Sequence, residues 1–336
     1  MRTRTRRRAA LLGFALLAVT ACSPDRPSAP SPDPAASSVG SSTAAPGSAS
    51  PTPGTTASPS AEAPTPSPSP AALELPRGGR TVFPRYRLVG YSGLTGAPTL
   101  GRLGTGPLDQ RVREMERRAR PYRAGREILP VLEVIATIVQ PDPGRDGAYR
   151  TRMSDDQIAT YLKAARKGDA LLLLNIQPGR SDFLKEAKAY RRWLDEPDVG
   201  LALDPEWAMG PGQVPGRVFG RTTGKELDGV ARYLAKVVAD GDLPEKVLVY
   251  HQLAPSIVRQ ESGLREHRGV ALVKSVDGIG VAAAKIETYN LVNETTPDHV
   301  HPGFKLFYTE DAEAGPLMKP EEVLALKPRP EYILYE

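Results

Sequence analysis

The sequence holds one cysteine, Cys22, in 336 residues. A lone thiol has no intrachain partner, so a disulfide scaffold is excluded. The four histidines do not form H-E-x-x-H, and no G-x-S-x-G or P-loop is present, which argues against zinc proteases, α/β-hydrolases and P-loop nucleotide enzymes. The glycine-rich stretch "GYSGLTGAPTLGRLGTG" lacks the G-x-G-x-x-G spacing and the helix start of a dinucleotide site. No basic stripe with interleaved aromatics occurs, so nucleic acid is not an expected partner. No cofactor and no resident metal are expected, and a monomer is.

The formal net charge of +5 is carried entirely by Arg2, Arg4, Arg6, Arg7 and Arg8. They precede an apolar stretch from Ala9 to Val19 that is too short for a comfortable permanent span, the layout of an export signal. The stretch closes in "VTAC", which resembles the lipobox of bacterial lipoproteins. That resemblance implies lipidation of Cys22 and an exported protein anchored to the outer face of the cell membrane. Residues 1–22 are thus expected to be the signal. Residues 23–72, almost all Ser, Pro, Ala, Thr and Gly, cannot bury enough apolar surface to offset ordering and are expected to be a disordered tether.

From 73 to 336 the pattern changes to short apolar runs separated by helical stretches. Strands are predicted at Tyr86–Tyr91, Ile128–Thr137, Ala170–Gly179, Val199–Trp207, Lys246–Gln252, Gly269–Gly278, Gly303–Asp311 and Glu331–Glu336. Helices are predicted over "PLDQRVREMERRARPYRAG", "SDDQIATYLKAARKG" with Ser154 as N-cap, "SDFLKEAKAYRRWLDE", "TTGKELDGVARYLAKVVADG" and "APSIVRQESGLREH". Eight apolar strands alternating with helices at this length point to an α/β fold, a (β/α)8 TIM barrel.

Such a barrel carries its chemistry where the strands end and lead into helices. Polar residues collect there: Glu133 on strand two, Gln177 after strand three, Asp204, Glu206 and Trp207 on strand four, His251 and Gln252 on strand five, Asp277 on strand six, Tyr308 and Asp311 on strand seven. If strand four continues through Pro205, Asp204 and Glu206 share one side with Cα atoms about 6–7 Å apart, close enough to raise one pKa. Trp207 would offer a flat face to a sugar. Glu133, Gln177, His251, Gln252, Asp277, Tyr308 and Asp311 are candidate substrate contacts, with Glu133, Asp277 and Asp311 as candidate second carboxylates. Asp277 in "VDGIG" also suits a turn, and His251 a satisfied core position. "DHVHPG", with His299 and His301, invites a metal-dependent hydrolase as a third reading, although no third ligand is evident.

An apolar fourth strand ending in D-x-E resembles barrel glycoside hydrolases, the family 25 lysozymes and more distantly the family 18 chitinases. The resemblance implies Glu206 as general acid, assisted by Asp204, and a cell-envelope or environmental polysaccharide as substrate. Where the chitinases carry two further aspartates this chain has Val199 and Ala202, and the lysozymes' strand-one aspartate is replaced by Ser92. Those departures also suit a catalytically inactive carbohydrate-binding barrel.

Overall fold

The computed structural model describes residues 72–336. The expected signal with Cys22, and the tether apart from Ala72, lie outside the described residues. Eight parallel strands form a closed barrel: β1 (Tyr86–Gly93), β2 (Glu127–Val139), β3 (Leu171–Ile176), β4 (Val199–Leu203), β5 (Lys246–Gln252), β6 (Val270–Val276), β7 (His301–Leu306) and β8 (Tyr332–Tyr335). Each pairs with the next, and β8 closes on β1 with Leu88 beside Tyr332 and Tyr91 beside Tyr335. Helices α1 (Leu108–Ala119), α2 (Asp155–Lys167), α3 (Phe183–Ala189), α4 (Gly224–Gly241), α5 (Ala282–Asn293), α6 (Glu310–Ala314) and α7 (Pro320–Leu324) lie in the connections.

Three of the helices begin where side chains cap them. Ser154 and Gln157 close a capping box on α2, Thr223 and Glu226 close another on α4, and Asp182 accepts from the Lys185 amide on α3. Each satisfies amide groups that the first turn cannot. The predicted helix over 254–267 does not form. Val258–Arg259 instead pairs with Thr222–Thr223, Gln260 is left-handed, and Glu261–Gly263 makes one 3-10 turn. Helix α5, whose weak apolar periodicity hides it in the sequence, was not among the expected elements.

Alternation along the strands separates two apolar layers. Val89, Leu132, Leu174, Leu201, Leu248 and Leu272 face the helices, in one cluster with Leu162, Leu227 and Leu234. Leu88, Val131, Leu173, Ala202, Val249 and Val273 form a second cluster, the barrel interior. Strands turn close to one another there: a Cβ added at Gly90 would lie 2.4 Å from Val131 O, which only glycine avoids. Leu75 and Val82, ahead of β1, are buried in the interior cluster, and the Val82 amide donates to Glu245. The segment before β1 therefore plugs the end of the barrel at which the strands begin. The opposite end is polar.

Candidate active site

Following the inward-facing positions toward the strand ends, apolar residues give way to Ser92 on β1, Glu133 on β2, Asn175 on β3, His251 on β5, Ser275 on β6 and Lys305 on β7. All are buried. Asp204 follows β4 directly and Asp277 follows β6. Burying this many ionisable groups is costly unless each finds a partner, and most do.

His251 lies between two carboxylates. Its Nδ1 is 2.8 Å from Asp277 Oδ2, and its Nε2 stands 3.0 Å from Glu133 Oε1 in an ion-pair contact that lacks hydrogen-bond alignment. Burial alone would discharge this imidazole, but Asp277 and Glu133 outweigh it and raise its pKa well above the usual histidine value. Burial likewise opposes charge on Glu133 and Asp277, yet His251 and Lys305 hold both below the ordinary carboxylate range. Lys305 Nζ lies 3.2 Å from Asp277 Oδ2 and 2.7 Å from Glu336 Oε2. Ser275 Oγ donates to Asp277, Ser92 Oγ to Glu336, and Tyr332 Oη to Glu133 at 2.6 Å.

Asn175 links this ionic chain to β4. Its Nδ2 donates to Glu133 Oε1 at 3.0 Å and to Asp204 Oδ1 at 2.9 Å, and Gln177 Nε2 donates to Asp204 Oδ2 at 3.1 Å. Asp204 thus receives neutral amide donors, with His251 Nε2 3.9 Å away. Burial raises its pKa, and His251 and Lys305 limit the rise.

Strand β4 stops at Leu203, and Pro205–Trp207 forms a 3-10 turn closed by the Trp207 amide donating to Asp204 O at 3.1 Å. The expectation that Asp204 and Glu206 continue one strand is therefore corrected; the turn, not strand alternation, sets their relation. Glu206 receives no side-chain donor, and its Oε2 is buried without a partner. Burial, then the charges of Asp204 and Asp277, raise its pKa well above the glutamate value. Glu206 is the more strongly raised of the two, because the amide donors favour the ionised form of Asp204. The Glu206 carbonyl accepts from the Gly220 amide at 2.6 Å, fixing the turn against the returning loop. A Cβ on Gly220 would sit 2.2 Å from Ala208 O, so that contact needs glycine.

No model of a known protein family matches the chain, and no curated protein matches it.

Of the residues expected from the sequence, Glu133, Gln177, Asp204, His251 and Asp277 share this network, and Glu206 adjoins it through Asp204. Trp207 is half-buried in the same turn. The others stand apart. Gln252 faces away from His251 and donates to Ala254 O at 3.1 Å. Tyr308 lies beyond the end of β7 and stacks on Tyr335 at 5.2 Å on the outer side of the barrel. Asp311 is held by Lys285 at 2.8 Å and by the Gly280 and Phe307 amides, a tie between two loops. His301 lies at the plugged end, where it pairs with Glu331 and stacks on Phe83. Among the described residues no group of three or more His, Cys, Asp or Glu is arranged to hold a metal ion.

Sequence reading did not single out Lys305, Glu336, Ser275 or Tyr332 as site residues. The signal was there for Lys305: a single charge between Phe304 and Leu306 must face the opposite side from its apolar neighbours.

Proposed function

We propose that this barrel mouth is a glycosidase-type site, with Glu206 as general acid and Asp204 assisting, acting on cell-envelope or environmental polysaccharide from an exported, Cys22-anchored protein. The observation that carries the reading is the Glu206 carboxyl, buried at one oxygen, without a side-chain donor and next to two aspartates. A carboxyl in that setting holds its proton to higher pH than an ordinary glutamate and can give it to a departing sugar oxygen. As the C–O bond breaks, positive charge develops at the anomeric carbon, and the ionised Asp204 is placed to stabilise it. Water then completes the exchange at that carbon and its remaining proton restores Glu206.

Glu206→Gln should abolish reducing-end release from polysaccharide while leaving the circular dichroism spectrum and Tm unchanged; cleavage at the wild-type rate would refute the assignment. The anchoring is tested by Cys22→Ser, which should move the protein from the membrane fraction to the soluble one. A binding-only barrel is the second reading. It is favoured by the ion pairs that occupy Glu133, Asp277 and Glu336, which leave no carboxylate other than Asp204 to act with Glu206. Saturable glycan binding without product would select it.

A further inference from the structure

The mouth is short of positive charge. Five carboxyl side chains belong to it or adjoin it (Glu133, Asp204, Glu206, Asp277 and Glu336) against two cations, His251 and Lys305. Both cations are already engaged: His251 between Asp277 and Glu133, Lys305 between Asp277 and Glu336. Among the described residues no other lysine or arginine forms an ion pair with any of the five. Even with Glu206 neutral, the ionised groups leave an excess of negative charge at Asp204.

Hydrogen bonding shows the same one-sidedness. Asn175, 2 % exposed, spends both Nδ2 hydrogens on Glu133 and Asp204, and its Oδ1 is buried with no partner. Glu206 Oε2 is unpartnered as well. Buried polar atoms are nearly always satisfied, and an orphan acceptor in a site is met by a donor from the ligand. Asn175 Oδ1 therefore lacks a donor at the place where Asp204 lacks a cation; the unaligned His251 Nε2 already faces Glu133, and a protonated Glu206 is itself a donor.

Building on the glycosidase-type reading, we infer that the site takes a glycan whose sugar units carry free, protonated amino groups, with one ammonium seated against Asp204 beside Asn175. An ammonium supplies the missing charge and up to three donors in one group. A hydroxyl supplies a donor without charge, an N-acetyl group adds a carbonyl acceptor, and a uronate or phosphate adds a like charge. A metal ion could also supply charge, but no group of three or more acidic or histidine ligands converges for it among the described residues.

The test compares hexamers of β-1,4-linked glucosamine, of its fully N-acetylated counterpart and of a uronate, titrated calorimetrically into the wild-type protein at low and high salt. The glucosamine hexamer should bind at least about tenfold more tightly than the acetylated one, the interval expected for one added close charge pair. High salt should narrow that gap, and the uronate should not bind. Asp204→Asn should reduce the preference to near parity while binding to the acetylated hexamer persists. Equal or tighter binding of the acetylated hexamer overturns the inference and leaves the glycosidase-type reading standing. Failure to bind or cleave any of the three overturns both. Calcium that competes with the glucosamine hexamer in a manner dependent on Asp204 also overturns the inference, since a metal would then fill the deficit.

Discussion

Two buried ionic clusters occupy opposite faces of the same two strands. On β5 and β6, Tyr250 and Lys274 point outward and their neighbours His251 and Ser275 point inward. The outer cluster centres on Glu261. It accepts from Tyr250 Oη, Lys274 Nζ and Thr295 Oγ1, and Lys274 also donates to Val292 O at 2.7 Å and Thr296 Oγ1 at 3.0 Å. No side-chain atom of that group is left without a partner. The inner cluster is built from similar groups but leaves Asn175 Oδ1 and Glu206 Oε2 unmet and His251 Nε2 without an aligned partner. The outer one is complete in itself, as a structural tie is. The inner one is left open, a difference that separates a candidate site from a support where burial and charge do not.

The largest expected effect sharpens that contrast. Glu206→Gln should lower turnover by about 10²–10⁴-fold, the usual worth of a positioned general acid, with Tm held or slightly raised. Lys274→Met should do the opposite. Glu261 would lose its cation within a dry layer, and breaking a buried pair costs about 3–5 kcal/mol. Urea unfolding would read the loss, while activity per folded molecule should stay at the wild-type level. If Lys274→Met abolished activity in folded protein, the division between site and support would fall.

Acid titration distinguishes the clusters through protons. Asp277 and Glu133 are held below their ordinary values, so each stabilises the fold above its unfolded pKa, and that stability is lost as pH falls below about 4. His251, raised well above 6.5, adds stability that is full below that value and lost as pH rises through its elevated pKa. Asp277→Asn should therefore flatten the acid limb of stability against pH. Turnover should fall on the alkaline side as Glu206 gives up its proton. The smallest effect belongs to Tyr250→Phe. It removes one of several donors to Glu261 and should cost about 1 kcal/mol, visible as a shift in urea midpoint with no change in pH profile.

Much of this was legible in the sequence. Eight apolar runs sufficed to predict the barrel, because strands buried on both faces read as continuous hydrophobic stretches. Glu133, Asp204, His251 and Asp277 could be placed at the mouth because barrel chemistry collects at the strand ends. Their mutual contacts could not be read. That His251 reaches Glu133 as well as Asp277 depends on closure of the barrel bringing β2 and β5, more than a hundred residues apart in sequence, within reach of each other. Pro205 also ended β4 one turn sooner than alternation suggested, replacing a shared strand face with a 3-10 turn. Asp311 has the residue type of a site but is consumed by Lys285 and two loop amides, and Gln252 faces away and spends its amide nitrogen on Ala254 O. Only partners seen in three dimensions separate those cases from Asp204.

The plug formed by Leu75 and Val82 makes the barrel a blind well. On the glycosidase-type reading, a long glycan cannot thread through and has to lie across the rim of the mouth.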